Sequence, residues 1–401
     1  MIGKPKFFGT LKQSLMALTF NIFGVFAGAV VAYYLGLSSM PSWVIAVYPG
    51  ILSARGVIAG LLSGRLSTGL HVGTVQPRFL NNTKNFYLLF KAIVVLTLET
   101  SVAVSLIAVI FGSFLWGAVA TDLFATLGVI AATMTLSLVV ISPLTMFVSF
   151  ISFKHGLDPD IILYPVESTI SDVLITLCYV FVLNLFFLHD ALGSYMIIAL
   201  CLILTISTLH FLCRNLKEVE FGKTIKESFL TLVFVAFIVN VTGSVLERIR
   251  AVIGSRQEIY TVYPALIDTI GDVGAIIGST ATTKLALGTL KPSLYAVRFH
   301  INEIIGAWSA STMLFIIYSI LSLLVQGILI LDVFVKFTAL LLTVNVLAVS
   351  CIVAISWAIS IITFQRGLDP DNFVIPIESS VADSITTISL LIALALTGYL
   401  I

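Results

Sequence analysis

Charge is what this chain has least of. Lys, Arg, Asp and Glu make up 10% of its 401 residues, where a soluble protein of that size carries about 25%. A water-soluble globular fold is thereby excluded. Cysteine is scarce as well: Cys178, Cys201, Cys213 and Cys351 have no CxxC spacing, so neither disulfides nor a thiolate metal site is indicated. The five histidines are scattered and form no zinc-like cluster. The formal net charge of +1 says nothing about partners, and no nucleic acid is expected among them.

What is present instead is apolar. Apolar side chains reach 59% and the mean hydropathy is +1.12, which describes an all-α polytopic membrane protein whose surroundings are the lipid bilayer. The first apolar run is long enough to span, so no cleavable signal is expected. A spanning helix needs about 20 apolar residues. Segments near 13–36, 41–66, 88–117, 123–153, 162–188, 191–212, 228–247, 259–284, 300–327, 330–364 and 373–399 qualify, eleven in all. Several exceed 25 residues, which predicts tilted or broken spans. With these spans, sixteen Lys and Arg residues fall on the side of the N-terminus, and only Arg248, Arg250, Arg256 and Lys336 on the other. That asymmetry places the N-terminus in the cytosol and the C-terminus outside, in a plasma or inner cell membrane.

The chain repeats itself. Gly156-Leu157-Asp158-Pro159-Asp160 recurs letter for letter, 211 residues on, as Gly367-Leu368-Asp369-Pro370-Asp371. The register then holds: Pro165 matches Pro376, Glu167 Glu378, Ser168 Ser379, Asp172 Asp383 and Thr176 Thr387. Upstream, at an offset of 215, Tyr48-Pro49 matches Tyr263-Pro264, Gly56 matches Gly271, and Gly73-Thr74-x-x-Pro77 matches Gly288-Thr289-x-x-Pro292. Each half is a five-helix unit. Five is odd, so the unmatched segment 191–212 carries the chain back across and gives both units one orientation, a 5+1+5 plan with a pseudo-two-fold axis along the membrane normal. The expected domains are a first repeat over 1–188, a linker helix and cytosolic loop over 189–220, and a second repeat over 221–401. Such a chain is a pseudodimer in itself and can act as a monomer.

Acids within apolar stretches point to a site. A carboxylate at membrane depth costs about 2.5 to 3.5 kcal/mol on insertion scales and marks function by default. Ser168, Asp172 and Thr176, and again Ser379, Asp383 and Thr387, recur every four residues and so share one helix face. Under the pseudo-two-fold the two stripes can face each other and bring Asp172 and Asp383 together. Two carboxylates flanked by hydroxyls, without His or Cys, suit a hard cation. The bland alternative, polar caps or packing residues, does not explain an aspartate at both equivalent depths. Asp158, Asp160, Asp369 and Asp371 sit in the loops before those helices, where they cap a helix start or gather cations at a pathway mouth. Glu167 and Glu378, one turn further in, are mouth ligands or partners of a lysine such as Lys154.

The second helix of each half is asymmetric. Asp268 and Asp272 lie four apart, with Ser279 and Thr283 continuing their face, whereas the first half has Ser53 and Val57 there. Arg55 stands where the second half has Ile270, and it needs a buried acid such as Asp268, Asp272 or Glu99, a pairing that would tune the charge of the path. Gly56, Gly60 and Gly64 read as a ridge for close helix contact.

Gly-Leu-Asp-Pro-Asp followed by Pro165, Glu167, Ser168 and Asp172 resembles the fifth transmembrane helix of the MgtE magnesium transport family. Arg55-Gly56 with Ser63-Gly64-Arg65-Leu66-Ser67-Thr68, and Pro264 with Gly271-Asp272, resemble that family's second helix. Two fused units are similar to the solute carrier family 41 arrangement. The resemblance implies a Mg²⁺ pathway between the two repeats, lined by their second and fifth helices, with Asp172 and Asp383 as the principal ion-binding acids. The family's glycine-asparagine step falls on Gly56-Val57 and Gly271-Asp272, so neither copy keeps the asparagine. Transport of Mg²⁺, with Mn²⁺ or Co²⁺ as further candidates, is the expected function. A Na⁺- or H⁺-coupled carrier of another solute, using the same aspartates for the coupling ion, is the alternative. No enzyme is expected, because no His-rich or lipid-phosphate signature is present.

Overall fold

The computed structural model describes residues 7–35, 40–115, 117, 120–154, 159–187, 191–253, 256–286, 288–367 and 371–399. Those residues are helical and joined by short turns. In chain order the α-helices are α1 (Phe7–Leu18), α2 (Ile22–Leu35), α3 (Ser42–Ala46), α4 (Tyr48–Val72), α5 (Lys84–Leu115), α6 (Ala120–Lys154) and α7 (Pro159–Phe187). They continue as α8 (Ala191–Asn215), α9 (Val219–Ile253), α10 (Gln257–Ala286), α11 (Ile301–Val325), α12 (Leu331–Gln365) and α13 (Asp371–Thr397). In a bilayer every backbone polar group must be satisfied within its segment, and helices do that. Among the described residues nine helical stretches are long and apolar enough to cross a membrane, and Val381–Thr397 is a shorter apolar one. α10 is 30 residues long and carries Glu258, Asp268, Asp272 and Lys284. The protein is a polytopic, all-helical membrane protein.

Two turns show how the repeat is written into local structure. Gly73 ends α4 in the left-handed region (φ 80°), and Gly288 does the same after α10 (φ 67°). Gly73 N–H donates to Leu70 O at 3.3 Å and Val75 N–H to Gly69 O at 2.9 Å. After α10, Gly288 N–H donates to Leu285 O at 3.0 Å and Leu290 N–H to Lys284 O at 3.1 Å. Each glycine is thus the pivot of a Schellman-type stop, tolerating a φ that a side chain resists.

The helices sort into two compact units. One comprises Met1–Gly36 with Arg248–Ile401, the other Leu37–Glu247. The units are therefore not the sequence halves: the opening helices α1 and α2 pack with α10 to α13, and most of α9 packs with α3 to α8. The reason is visible at two glycines. A Cβ on Gly28 would collide with the Thr261 carbonyl oxygen of α10, and one on Gly243 of α9 with that of Ala46 in α3. Gly28 and Gly243 are 215 positions apart, and so are Ala46 and Thr261. The same backbone-to-backbone contact is therefore made once in each unit. Lipid offers no hydrophobic drive between helices, so small residues that admit close approach decide which helices pair. Gly56, expected to serve such a contact, has no heavy atom of the described residues within 4 Å of where its Cβ would be. The surroundings of Gly60 and Gly64 lie outside the described set.

Candidate ion-binding site

In the unit built on Leu37–Glu247, α4 and α7 are locked side by side. The Tyr48 hydroxyl is 3.0 Å from the Thr176 hydroxyl, and Tyr179 donates to Val44 O at 2.5 Å. The rings of Tyr48 and Tyr179 stack at 5.9 Å. One turn before Thr176 stands Asp172, 4% exposed. Its carboxylate receives the Arg55 guanidinium, Nη2 to Oδ1 at 2.8 Å, with the side chains 8% and 6% exposed. The expectation that Arg55 meets a buried acid is therefore met, but the acid is Asp172, rather than Asp268, Asp272 or Glu99. Spacing along a helix does not say which neighbouring helix a side chain faces. Glu99 Oε2, on α5, has no hydrogen-bonding partner among the described residues.

The second unit repeats this lock without the arginine. The Tyr263 hydroxyl is 2.7 Å from the Thr387 hydroxyl, joining α10 to α13, and Asp383 lies one turn before Thr387, 8% exposed. A side chain at Gly271 would meet Ala382 at 3.5 Å. The close approach thus falls between the residues that directly adjoin Asp272 and Asp383. Asp272 Oδ2 accepts from Asn21 Nδ2 at 2.8 Å, and the same amide is 3.3 Å from Thr269 Oγ1. Thr269 in turn shares a 2.8 Å hydrogen bond with the Tyr318 hydroxyl. Sequence reading missed Asn21. The signal was there: an amide inside an apolar run is costly and rarely idle. Asn21 closes a one-turn 3₁₀ stretch, Thr19–Asn21, between α1 and α2, and such interruptions often accompany function.

The remaining candidates divide by what is described. Asp160 and Asp371 fall in the first turns of α7 and α13, and Glu167, Ser168, Glu378 and Ser379 follow within those helices; their side chains lie outside the described set. Asp158 and Asp369 lie outside the described residues altogether. Ser279 and Thr283 donate to backbone carbonyls of α10. Among the described residues no three His, Cys, Asp or Glu side chains converge into a cage. A cage is not what Mg²⁺ demands, since it keeps several waters and uses one or two carboxylates.

Comparisons with known proteins bear on this arrangement. The family model of MgtE, divalent cation transporters, matches residues 48–182 and again 263–393, one match per repeat and more than half of the chain in total. No curated protein and no solved structure matched. The two matched stretches run from Tyr48 and Tyr263, which anchor the hydroxyl locks, to beyond Asp172 and Asp383. The chain belongs to the MgtE family of divalent cation transporters.

Proposed function

We propose that this protein carries Mg²⁺ across the membrane, with Mn²⁺ and Co²⁺ as alternative cargo, and that Asp383 and Asp172 are its principal ion-binding carboxylates. The observation that carries this reading is the pair of tyrosine–threonine locks. Each fixes one face of the fifth repeat helix against the second, with a buried aspartate one turn away. That is a rigid mount for a carboxylate, repeated at equivalent places in two copies. Asp268 and Asp272 add two acids to the second copy, and Asn21 orients the latter.

The chemistry is hydration exchange. A carboxylate can replace one water of a hard divalent cation, or hold it through its waters, and the absence of sulfur and imidazole from the set disfavours softer metals. The N-terminus is assigned to the cytosol by the excess of Lys and Arg on that side. The first repeat, the extra helix α8 and the second repeat form the 5+1+5 plan.

Uptake of Mg²⁺ or Mn²⁺ into proteoliposomes tests the reading. Asp383→Asn should reduce uptake at least about tenfold, in line with the loss of a positioned ion ligand. Asp383→Asn combined with Asp272→Asn should abolish it. Normal uptake by that double variant would remove the proposed site.

A further inference from the structure

We infer that Arg55 is a tethered competitor for Asp172: its guanidinium occupies the carboxylate until a divalent cation displaces it, which bars cations too weak to do so. The inference rests on the transport reading above and adds a selectivity device to it.

Three observations support it. The contact is end-on, through Nη2 alone, at 2.8 Å. A side-on, two-nitrogen clasp would be the strong form of this pair; a single bond is the readily exchanged form. Second, Nε and Nη1 of Arg55 are buried and have no hydrogen-bonding partner among the described residues. A buried guanidinium with donors to spare is a high-energy group that gains from acceptors nearby.

Third, those acceptors adjoin it. Arg55 lines a cavity of about 20 Å³ together with Thr97, Ser137, Ser142 and Thr145, large enough for a single water. The hydroxyl protons of Thr97 and Ser137 are spent on the carbonyls of Ile93 and Met134, at 2.8 and 2.9 Å. What these hydroxyls still offer is lone pairs. The cavity therefore complements a cation or a bridging water, and not an anion. It gives the guanidinium somewhere to lean when it leaves Asp172.

Selectivity follows from charge. A monovalent ion arriving at Asp172 brings no more charge than Arg55 already supplies, so it gains little by displacing it. A divalent ion brings twice as much. The second repeat has Ile270 in place of Arg55, so this device belongs to the first repeat only. An ion pair that merely held the fold would predict lower stability on mutation, but no gain in metal affinity.

The test is Mn²⁺ binding to the full purified chain, followed by electron paramagnetic resonance, with Na⁺ as competitor. Arg55→Gln should tighten Mn²⁺ binding about tenfold, because removal of a competitor restores the intrinsic affinity. The gain should vanish when Asp172→Asn is added, Arg55→Lys should stay near the parent, and Na⁺ should now compete. Unchanged or weaker Mn²⁺ binding by folded Arg55→Gln, or a gain that persists without Asp172, would overturn the inference. Where Arg55→Gln fails to fold in metal-free buffer, Mg²⁺ must restore a monodisperse protein by taking the guanidinium's place. Failure of that rescue overturns it equally. Asp383→Asn separates the two ideas: loss of transport there decides the function, whereas the Asp172-dependent gain in Arg55→Gln decides the competitor.

Discussion

At the scale of single residues, the acids and bases of this chain are placed by different rules from those of a soluble protein. His300, the residue immediately before α11, shows this. Its Nδ1 is 3.1 Å from Lys284 Nζ, its Nε2 is 3.1 Å from Thr280 Oγ1, and Lys284 Nζ also sits 2.5 Å from Glu303 Oε1. The ammonium donates to Nδ1, so the imidazole is neutral with its proton on Nε2. Burial first, and the Lys284 charge second, lower the His300 pKa to about 4, against the opposing pull of Glu303. A depressed histidine pKa means that the unfolded chain binds the proton more readily. Its contribution is therefore whole above the unfolded pKa and is lost as pH falls from about 6.5 towards about 4. Lowering the pH from about 7 to about 5 should cost about 1–2 kcal/mol through this group. Melting curves should show a shallower acid loss for His300→Gln; an identical slope would mean that other groups govern it.

At the scale of helices, glycine decides pairing in one place and nothing in another. A methyl at Gly243 would collide with the Ala46 carbonyl, and one at Gly56 would meet nothing among the described residues. Gly243→Ala should therefore destabilise by about 1–3 kcal/mol, as overpacking does. Gly56→Ala should be neutral or stabilising by up to about 1 kcal/mol, the helix-propensity gain. Thermal melts in detergent order the two, and equal losses would contradict the packing described. The sequence showed a small-residue ridge at Gly56, Gly60 and Gly64, yet close contacts between helices are found at Gly24, Gly28 and Gly243. Spacing identifies a face that could approach a neighbour. It does not reveal whether one is there.

At the scale of the whole molecule, the opening helices belong with α10 to α13. Removing residues 1–36 should then expose the second repeat rather than the first. Limited proteolysis of that truncation should cut first within 257–286, where Gly24 and Gly28 normally press on Ala265 and Thr261. Preferential cutting within 48–72 would show instead that each opening helix guards its own repeat. Much of this plan was legible beforehand. The 215-residue offset gave matching turns at Gly73 and Gly288, and Tyr48, Thr176, Tyr263 and Thr387 were all visible as repeated residues. Their hydrogen bonds were not, because those depend on how α4 meets α7 and α10 meets α13.

The sequence by itself determined that the chain is helical, membrane-embedded and duplicated, and that its aspartates recur at equivalent depths. Those properties follow from composition and from periodicity within one helix. Only the tertiary structure decided that Arg55 meets Asp172, that Asn21 meets Asp272, and that the opening helices cross over between repeats. Each of these is a choice among several helix faces that one-dimensional spacing leaves equal, and close packing at a few glycines breaks the tie.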